Sequence, residues 1–243
     1  MKRGLIIAVL GPMGSGKTTI GFHIAYVLKK LGYRSLFTYL RTYHGVVFIM
    51  WRFVAFLILR DCRVKGASWL SPWSILEKYN IALTNKLIRI FSYIDVFFTI
   101  PLLLLFRFIF PKLLGTAVVS EEYLHSSISD YVSIYYNRLS GRVNNLVIRV
   151  LLSFLIRYAP DIVVFLDADS RILITRTIHR GRDFTNLKYI QFQRSLLLPL
   201  ISLHDGTKIM INTTNTSIFK TLAIIFKHLH KMGLAITSNN VKA

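Results

Sequence analysis

The chain has 243 residues, 53% of them hydrophobic, and its 31 Lys and Arg outnumber 11 Asp and Glu, which gives a formal net charge of +20. This length allows one α/β domain with a sizeable core, and the single cysteine, Cys62, excludes an internal disulfide and is typical of a reducing cytosol. A composition that is both basic and apolar favours binding to an anionic membrane over binding to nucleic acid. The alternative explanation is a source organism whose proteins are generally basic, or a partner protein that covers the basic surface.

The first predicted element is a strand over 5–10, which runs directly into a glycine-rich loop and is therefore not interpreted as a signal peptide. The loop has the G-x-x-x-x-G-K-[ST] pattern of a phosphate-binding loop and reads Gly11-Pro12-Met13-Gly14-Ser15-Gly16-Lys17-Thr18-Thr19. Its glycines allow N–H groups to face phosphate oxygens, and the next helix adds its positive end. We predict that these nine residues bind ATP, that Lys17 reaches the β- and γ-phosphates in catalysis, and that Thr18 holds Mg²⁺.

Short apolar segments then alternate with helical ones along the rest of the chain. Further strands are predicted over 35–40, 115–120, 160–166 and 208–211, and the later helices over 170–178, 188–203 and 217–232. This alternation predicts a parallel sheet with helices on both faces. We expect an α/β fold of the P-loop NTPase type, with about five parallel strands, in a single domain over residues 1–243.

Charged residues follow several predicted strands, at the edge where ligands bind in such sheets. Arg41 follows the second strand, Glu121 and Glu122 the third, and Asp167 the fourth. Glu121 is our candidate to hold Mg²⁺ or to accept the proton of the phosphoryl acceptor, with a solvated acidic turn as the alternative. Because successive side chains of an extended strand face opposite ways, Glu121 and Glu122 are not both expected to face the site.

Two other groups of charges allow more than one interpretation. Asp167 lies either behind the phosphate loop or, with Asp169, caps the following helix. Arg176, Arg180 and Arg182 form a basic cluster that either covers the migrating phosphoryl charge as a mobile lid or is a solvated patch.

The order of these parts resembles the thymidylate kinase-like branch of the P-loop nucleoside and nucleotide kinases. The similar segments are the phosphate loop, an Asp-Arg-Tyr/His-x-x-Ser segment, a Pro-Asp-x-x-x-x-Leu-Asp-x-Asp strand, the lid and the closing strand, found here at 11–19, 118–127, 160–169, 176–182 and 211–214. The resemblance implies ATP and Mg²⁺ as cofactors and Glu121 in place of the catalytic aspartate. It also implies that Arg41 binds the acceptor, and that Arg180 and Arg182 act in catalysis.

Departures from the family pattern concern the acceptor. Met13 replaces an aspartate, Glu122 replaces an arginine that grips phosphate, and Ser129-Asp130-Tyr131 stands where the family has Ala-Tyr-Gln. We predict Glu122 to be a substrate-binding residue. A carboxylate at that position favours a neutral acceptor, such as a nucleoside or another alcohol, over thymidylate.

The region of about 42–114 is unusually apolar, with one run at 45–59 that is apolar except for Arg52 and a second run at 91–110. The first run is too short to cross a bilayer, and the second contains Asp95, Pro101 and Arg107. Basic residues between the runs oppose the positive-inside tendency, which argues against two spans. The apolar region therefore has four possible interpretations. It forms a larger helical core, a groove for an apolar acceptor, a surface for a partner, or helices that dip into an anionic bilayer.

Three functions follow in order of preference. The first is ATP-dependent phosphoryl transfer to a small acceptor by a nucleoside or nucleotide kinase. The second is a membrane-associated ATPase or phosphotransferase acting on an apolar or lipid-linked substrate, and the third is a nucleic-acid-associated NTPase, ranked last because no RNA-binding motif or helix-turn-helix supports it. We expect a cytoplasmic protein whose partners are ATP and a small-molecule acceptor, with a homodimer and peripheral contact with an anionic membrane left open.

Overall fold

The computed structural model of the protein describes residues 4–59, 72–138, 145–179 and 187–234. Its strands are β1 Leu5–Leu10, β2 Ser35–Tyr39, β3 Ala117–Glu121, β4 Ile162–Asp167 and β5 Thr207–Asn212. In this part of the chain the five strands form one sheet in the order β2-β3-β1-β4-β5, and every neighbouring pair is parallel. The predicted α/β class and parallel sheet are confirmed.

The central strand β1 shows why the sheet needs cover on both sides. Ile6, Ala8 and Leu10 contribute to one buried apolar cluster, whereas Ile7 and Val9 contribute to the other. Successive side chains of a strand face opposite sides of the sheet. A strand that is buried on both faces therefore has apolar residues at every position. The unbroken apolar run of β1 is therefore explained by burial on both faces.

Helices cover both faces of the sheet, as predicted. They are α1 Lys17–Lys30, α2 Val46–Leu59, α3 Pro72–Tyr79, α4 Ile81–Leu113, α5 Leu124–Arg138, α6 Asn145–Arg157, α7 Ser170–Ile178, α8 Leu187–Ser202 and α9 Ile218–Lys231. Buried side chains of α1 and α9 pack on one face of the sheet. Those of α2 to α6 and of α8 form the larger core on the other face.

The apolar region between β2 and β3 forms mainly α4, which is 33 residues long and passes through Pro101. Two turns of α4 are wider than α-helical turns: the Ile100 N–H bonds the Asp95 carbonyl, and the Phe110 N–H bonds the Leu105 carbonyl. Each wide turn ends one residue before a proline, Pro101 or Pro111. A proline has no N–H and its ring crowds the preceding turn, so widening that turn lets the helix continue.

The strand register brings the predicted functional segments to one edge of the sheet. Val9 pairs with Glu121, and Tyr39 pairs with Glu121 from the other side. On the opposite half of the sheet Leu10 pairs with Phe165, and Asp167 pairs with Asn212. The carboxyl ends of β3 and β4 therefore flank the loop that follows β1.

Candidate active site

The conformation of the loop between β1 and α1 depends on its glycines. Gly11 and Gly16 have φ angles of 147° and 94°, in the region that side chains rarely adopt. A Cβ on Gly11 would lie 2.0 Å from the Leu166 carbonyl oxygen, whereas a Cβ on Gly16 would meet nothing within 4 Å. Gly11 is thus required by packing against β4, and Gly16 borders open space at the amino end of α1, where an anion is favoured.

Lys17 is held inside this loop. Its ammonium donates to the carbonyls of Gly11 and Pro12, at 3.0 Å and 3.1 Å, and the residue is only 7% exposed. The Glu122 carboxylate lies 3.9 Å from the same ammonium. The predicted phosphate ligand is therefore in the loop, between the loop carbonyls and a carboxylate at the end of β3.

Thr18 and Glu121 form a direct pair across the start of α1 and the end of β3. The Thr18 hydroxyl donates to Glu121 Oε1 at 2.6 Å. A hydroxyl beside a carboxylate is an oxygen donor set that suits Mg²⁺, which takes one or two protein oxygens and completes its shell with water and phosphate. Thr18 and Glu121 are therefore the residues that would hold this ion together with a nucleotide. Among the described residues no cluster of three or more His, Cys, Asp or Glu could hold a metal by itself.

Our expectation that Glu121 and Glu122 could not both face the site is wrong. Glu122 has a φ angle of 65°, so it has left the extended conformation on which the alternation argument depends. Its N–H bonds the Val9 carbonyl at 3.0 Å, and its own carbonyl accepts from the Ser120 hydroxyl. This turn directs Glu122 towards Lys17 and Arg41, while Glu121 faces Thr18.

Arg41, which follows β2, lies between two carboxylates. Its Nε is 3.5 Å from Glu122 and 3.9 Å from Asp130 on α5. The Glu122 charge, more than any other neighbour, raises the pKa of Arg41 further above its already high value, with burial opposing. Arg41 is therefore always charged, and both carboxylates already neutralise it.

Asp130 is a site residue that the sequence marked only as a departure from a family pattern. Burial raises the pKa of its carboxyl to about 6, the Arg41 charge opposes that rise, and the Glu122 charge adds to it. Tyr189 of α8 lies in the same charge cluster, since its pKa is raised by burial and then by Asp130. Arg41, Glu122, Asp130 and Tyr189 thus form a charge cluster to which β2, β3, α5 and α8 each contribute.

The end of β4 is organised by an arginine that our sequence analysis missed. Arg194 of α8 donates from Nε to Asp167 Oδ1 at 2.9 Å, and it also donates to the Ser170 hydroxyl at 2.7 Å and to the Ala168 carbonyl. Of the two aspartates considered as caps, Asp169 is the one that caps α7, by accepting from Arg171 N–H. Asp167 is instead fixed by Arg194, behind the phosphate loop.

Arg176 does not project as part of a lid. Its guanidinium donates to the Thr213 carbonyl at 2.9 Å and to the Thr213 hydroxyl at 3.2 Å, in the segment after β5. Arg180 and Arg182 lie outside the described residues, so their predicted role in the lid stays a prediction.

Gln193, also on α8, is a second residue that sequence analysis missed. Its Oε1 accepts the Met13 N–H at 3.2 Å, and its Nε2 donates to the Tyr189 hydroxyl at 3.2 Å. It therefore links the glycine-rich loop to Tyr189 and the charge cluster around Arg41. Neither Gln193 nor Arg194 follows a strand or belongs to a motif, so only the packing of α8 identifies them.

Comparisons with known proteins find a similar fold among solved structures but no similar sequence. No protein-family model matches the chain, and no curated protein matches it in sequence. Among solved structures, the deoxyadenosine kinase from M. mycoides with bound dCTP is similar, with a TM-score of 0.52 and 16% sequence identity over 93% of this chain and 100% of that chain. At this identity the likeness concerns architecture, and it spans almost the whole chain. This protein therefore shares its fold with a solved nucleoside kinase.

Proposed function

We propose that this protein is an ATP-dependent kinase that transfers a phosphoryl group to a hydroxyl of an uncharged small acceptor, with nucleosides as the first substrate class. The observation that carries the proposal is the Thr18–Glu121 pair, 2.6 Å apart, beside a glycine-rich loop that contains Lys17. Phosphoryl transfer needs mainly a cradle for the donor phosphates, a cation and a positioned carboxylate, and these residues supply each part.

On the donor side, the loop N–H groups and Lys17 bind the phosphates of ATP. Thr18 and Glu121 would hold Mg²⁺, which would supply positive charge against the phosphate oxygens. The acceptor hydroxyl oxygen forms the new bond to the γ-phosphorus, the bond to the ADP oxygen breaks, and the hydroxyl proton passes to Glu121. Because the transition state is loose, positioning by Glu121 matters more than its basicity.

On the acceptor side, the charges favour a neutral group. A phosphate monoester that reached Arg41 would meet the carboxylate of Glu122 at 3.5 Å and that of Asp130 at 3.9 Å from the guanidinium. A phosphate bound to the same guanidinium would be repelled by both carboxylates, and like charges that share a partly buried site cost free energy. Hydroxyl groups instead find acceptors in both carboxylates, which supports a nucleoside rather than thymidylate.

The fold comparison supports the same substrate class, because the similar solved structure is a deoxyadenosine kinase. The carboxylates of Glu122 and Asp130 support it independently of that likeness. Phosphoryl transfer to thymidylate, the specificity of the family that the sequence resembles, is the less favoured version of this proposal.

The test is a phosphorylation assay with the purified full-length chain, radiolabelled ATP and Mg²⁺. Acceptors are deoxynucleosides, thymidylate and a polyprenol, the last to test the apolar substrate that the sequence left open. We expect labelled nucleoside monophosphate as the main product. Lys17→Ala should abolish labelling, whereas Lys29→Ala, at the exposed end of the same helix, should not.

Two results would contradict the proposal. Equal ATP affinity of the wild type and Lys17→Ala by calorimetry would remove the phosphate loop as a nucleotide site. Nucleotide binding that depends on Lys17, without transfer to any acceptor, would retain the loop but remove the kinase.

A further inference from the structure

Two helices between β2 and β3 expose an apolar surface. We define the apolar face as the exposed side chains of Ile49, Phe53 and Phe56 on α2 and of Phe98, Phe106 and Phe110 on α4. Phe98 and Phe106 are each 65% exposed, and Ile49 is 67% exposed. The helices α2 and α4 contact each other, and large apolar patches on soluble proteins mark sites of interaction with proteins or membranes.

The opposite side of α4 is as apolar as the exposed one. Val96, Ile100, Leu104 and Phe108, spaced by four residues, are at most 2% exposed and belong to the large core. A helix that is hydrophobic all round is normally covered all round. The domain covers one side of α4. We therefore expect the exposed apolar side to be covered by a partner or a lipid phase outside this domain.

α4 is long and apolar enough to cross a bilayer, and within the described residues it is the one helix that is. Its inner side, however, has partners in the domain. Asp95 accepts from Tyr43 N–H at 2.9 Å and from the Tyr131 hydroxyl at 2.7 Å, and the Phe108 ring packs against Tyr123. A spanning helix would lose these contacts and leave a polar group in hydrocarbon, so the contacts of Asp95 and Phe108 argue against α4 crossing a bilayer.

Charge selects the occupant of the apolar face. Asp95 is the single acidic residue of α2 and α4 and is fully buried, whereas Lys86 and Arg89 are exposed one to three turns before the apolar part of α4. A second copy of the chain, which carries the same formal net charge of +20, would place like net charges next to each other. An anionic bilayer instead offers an apolar phase together with opposite charge.

We propose that the apolar face docks on an anionic lipid bilayer. The phenylalanines of α2 and α4 enter the boundary between headgroups and acyl chains, and Lys86 and Arg89 lie among the anionic headgroups. The nucleotide loop stays in the aqueous phase. This docking goes beyond the kinase activity and does not depend on it.

Flotation with vesicles tests the docking. The wild type at low salt should float with vesicles of phosphatidylcholine and phosphatidylserine, and much less with phosphatidylcholine alone. Phe98→Ser with Phe106→Ser should lower the partition coefficient by about tenfold or more. Phe219→Ser on α9, a residue that is 73% exposed, should float like the wild type.

The electrostatic part has its own pair of variants. Lys86→Gln with Arg89→Gln should lower partition onto phosphatidylserine vesicles by roughly fivefold per charge, and should leave the weak partition onto phosphatidylcholine unchanged. Lys227→Gln, at an exposed position of α9, is the control. Circular dichroism and ATP affinity of each variant show that the domain is intact, because none of these residues belongs to the candidate active site.

Two outcomes overturn the proposal. Wild-type protein that stays at the bottom of the gradient with anionic vesicles, as a dimer that Phe98→Ser with Phe106→Ser dissociates in sedimentation, assigns the face to a second copy. Protein that stays at the bottom as a monomer shows that the face remains exposed to water.

Discussion

The Thr18 hydroxyl donates to Glu121 Oε1 at 2.6 Å, although the two residues are 103 positions apart in the chain. This bond joins the first turn of α1 to the end of β3, because β1 and β3 are neighbours and Val9 pairs with Glu121. The position of the carboxylate next to the glycine-rich loop is therefore set by the sheet order.

Glu121→Gln should lower turnover by about 10²–10⁴-fold and leave ATP affinity nearly unchanged. The amide keeps the size of the side chain but removes the charge that orients Mg²⁺ and receives the proton. Turnover on the acceptor found in the screen and ATP affinity by calorimetry check this prediction. Glu77→Gln on α3 is the matched control, and full activity of Glu121→Gln would remove Glu121 from the mechanism.

Glu122→Gln should have a smaller effect on turnover with a nucleoside, and should shift the preference towards a monophosphate acceptor. Removing this carboxylate, 3.5 Å from Arg41, leaves the guanidinium less neutralised and so more able to bind phosphate. The measurement is the ratio of kcat/KM for thymidylate to that for deoxythymidine. An unchanged ratio would contradict the assignment of Glu122 to the acceptor side.

Asp95→Asn should reduce the pH dependence of stability. Burial raises the pKa of Asp95 to about 7, although hydrogen bonds from Tyr43 and Tyr131 oppose the rise. An acid with a raised pKa holds its proton more tightly in the folded state. Its effect on the unfolding free energy is therefore most favourable below about pH 4 and is lost as the pH rises towards 7. The amide can accept the same two bonds without the charge.

Urea denaturation at pH 5 and pH 8 measures this effect. The stability of Asp95→Asn relative to the wild type should be higher at pH 8 than at pH 5, by roughly 1–4 kcal/mol. All other titrating groups are common to both proteins, so the difference between them isolates Asp95. A pH-independent difference would show that Asp95 keeps an ordinary pKa.

Arg194→Met should lower the unfolding free energy by about 1–3 kcal/mol. Arg194 joins α8 to the end of β4 through Asp167, Ser170 and Ala168, and its loss leaves the Asp167 carboxylate without its cation. A double-mutant cycle with Asp167→Asn should give a coupling of about 0.5–3 kcal/mol. Arg89→Met, exposed on α4, is the control, and additive effects would show that the pair contributes no stability.

The strands and the phosphate loop could be predicted because their signals are local. The apolar run of Leu5–Leu10 and the glycine pattern after it depend only on neighbouring residues, and the structure has β1 and the start of α1 at the predicted positions. The direction of Glu122 could not be predicted, because its φ angle of 65° ends the alternation on which the argument rested. Nothing in the residue type of a glutamate indicates a left-handed backbone.

The acceptor side was predicted only in part, because its residues come from distant helices. Arg41 and Glu122 follow strands and were identified. Asp130, Gln193 and Arg194 are ordinary helix residues whose partners lie in other parts of the chain. Their contribution depends on how α5 and α8 pack against the sheet, which hydrophobic periodicity does not specify.

The position of β1 in the sheet also has a consequence for biosynthesis. Leu5 pairs with Ala117 and Ile7 pairs with Ile162, so β1 is synthesised more than a hundred residues before either of its two neighbouring strands. Contacts of such sequence separation make folding slow, and unpaired apolar strand edges promote aggregation in the meantime. A nascent chain that ended before β4 would contain the complete glycine-rich loop but only one neighbour, β3, for the strand that supports this loop.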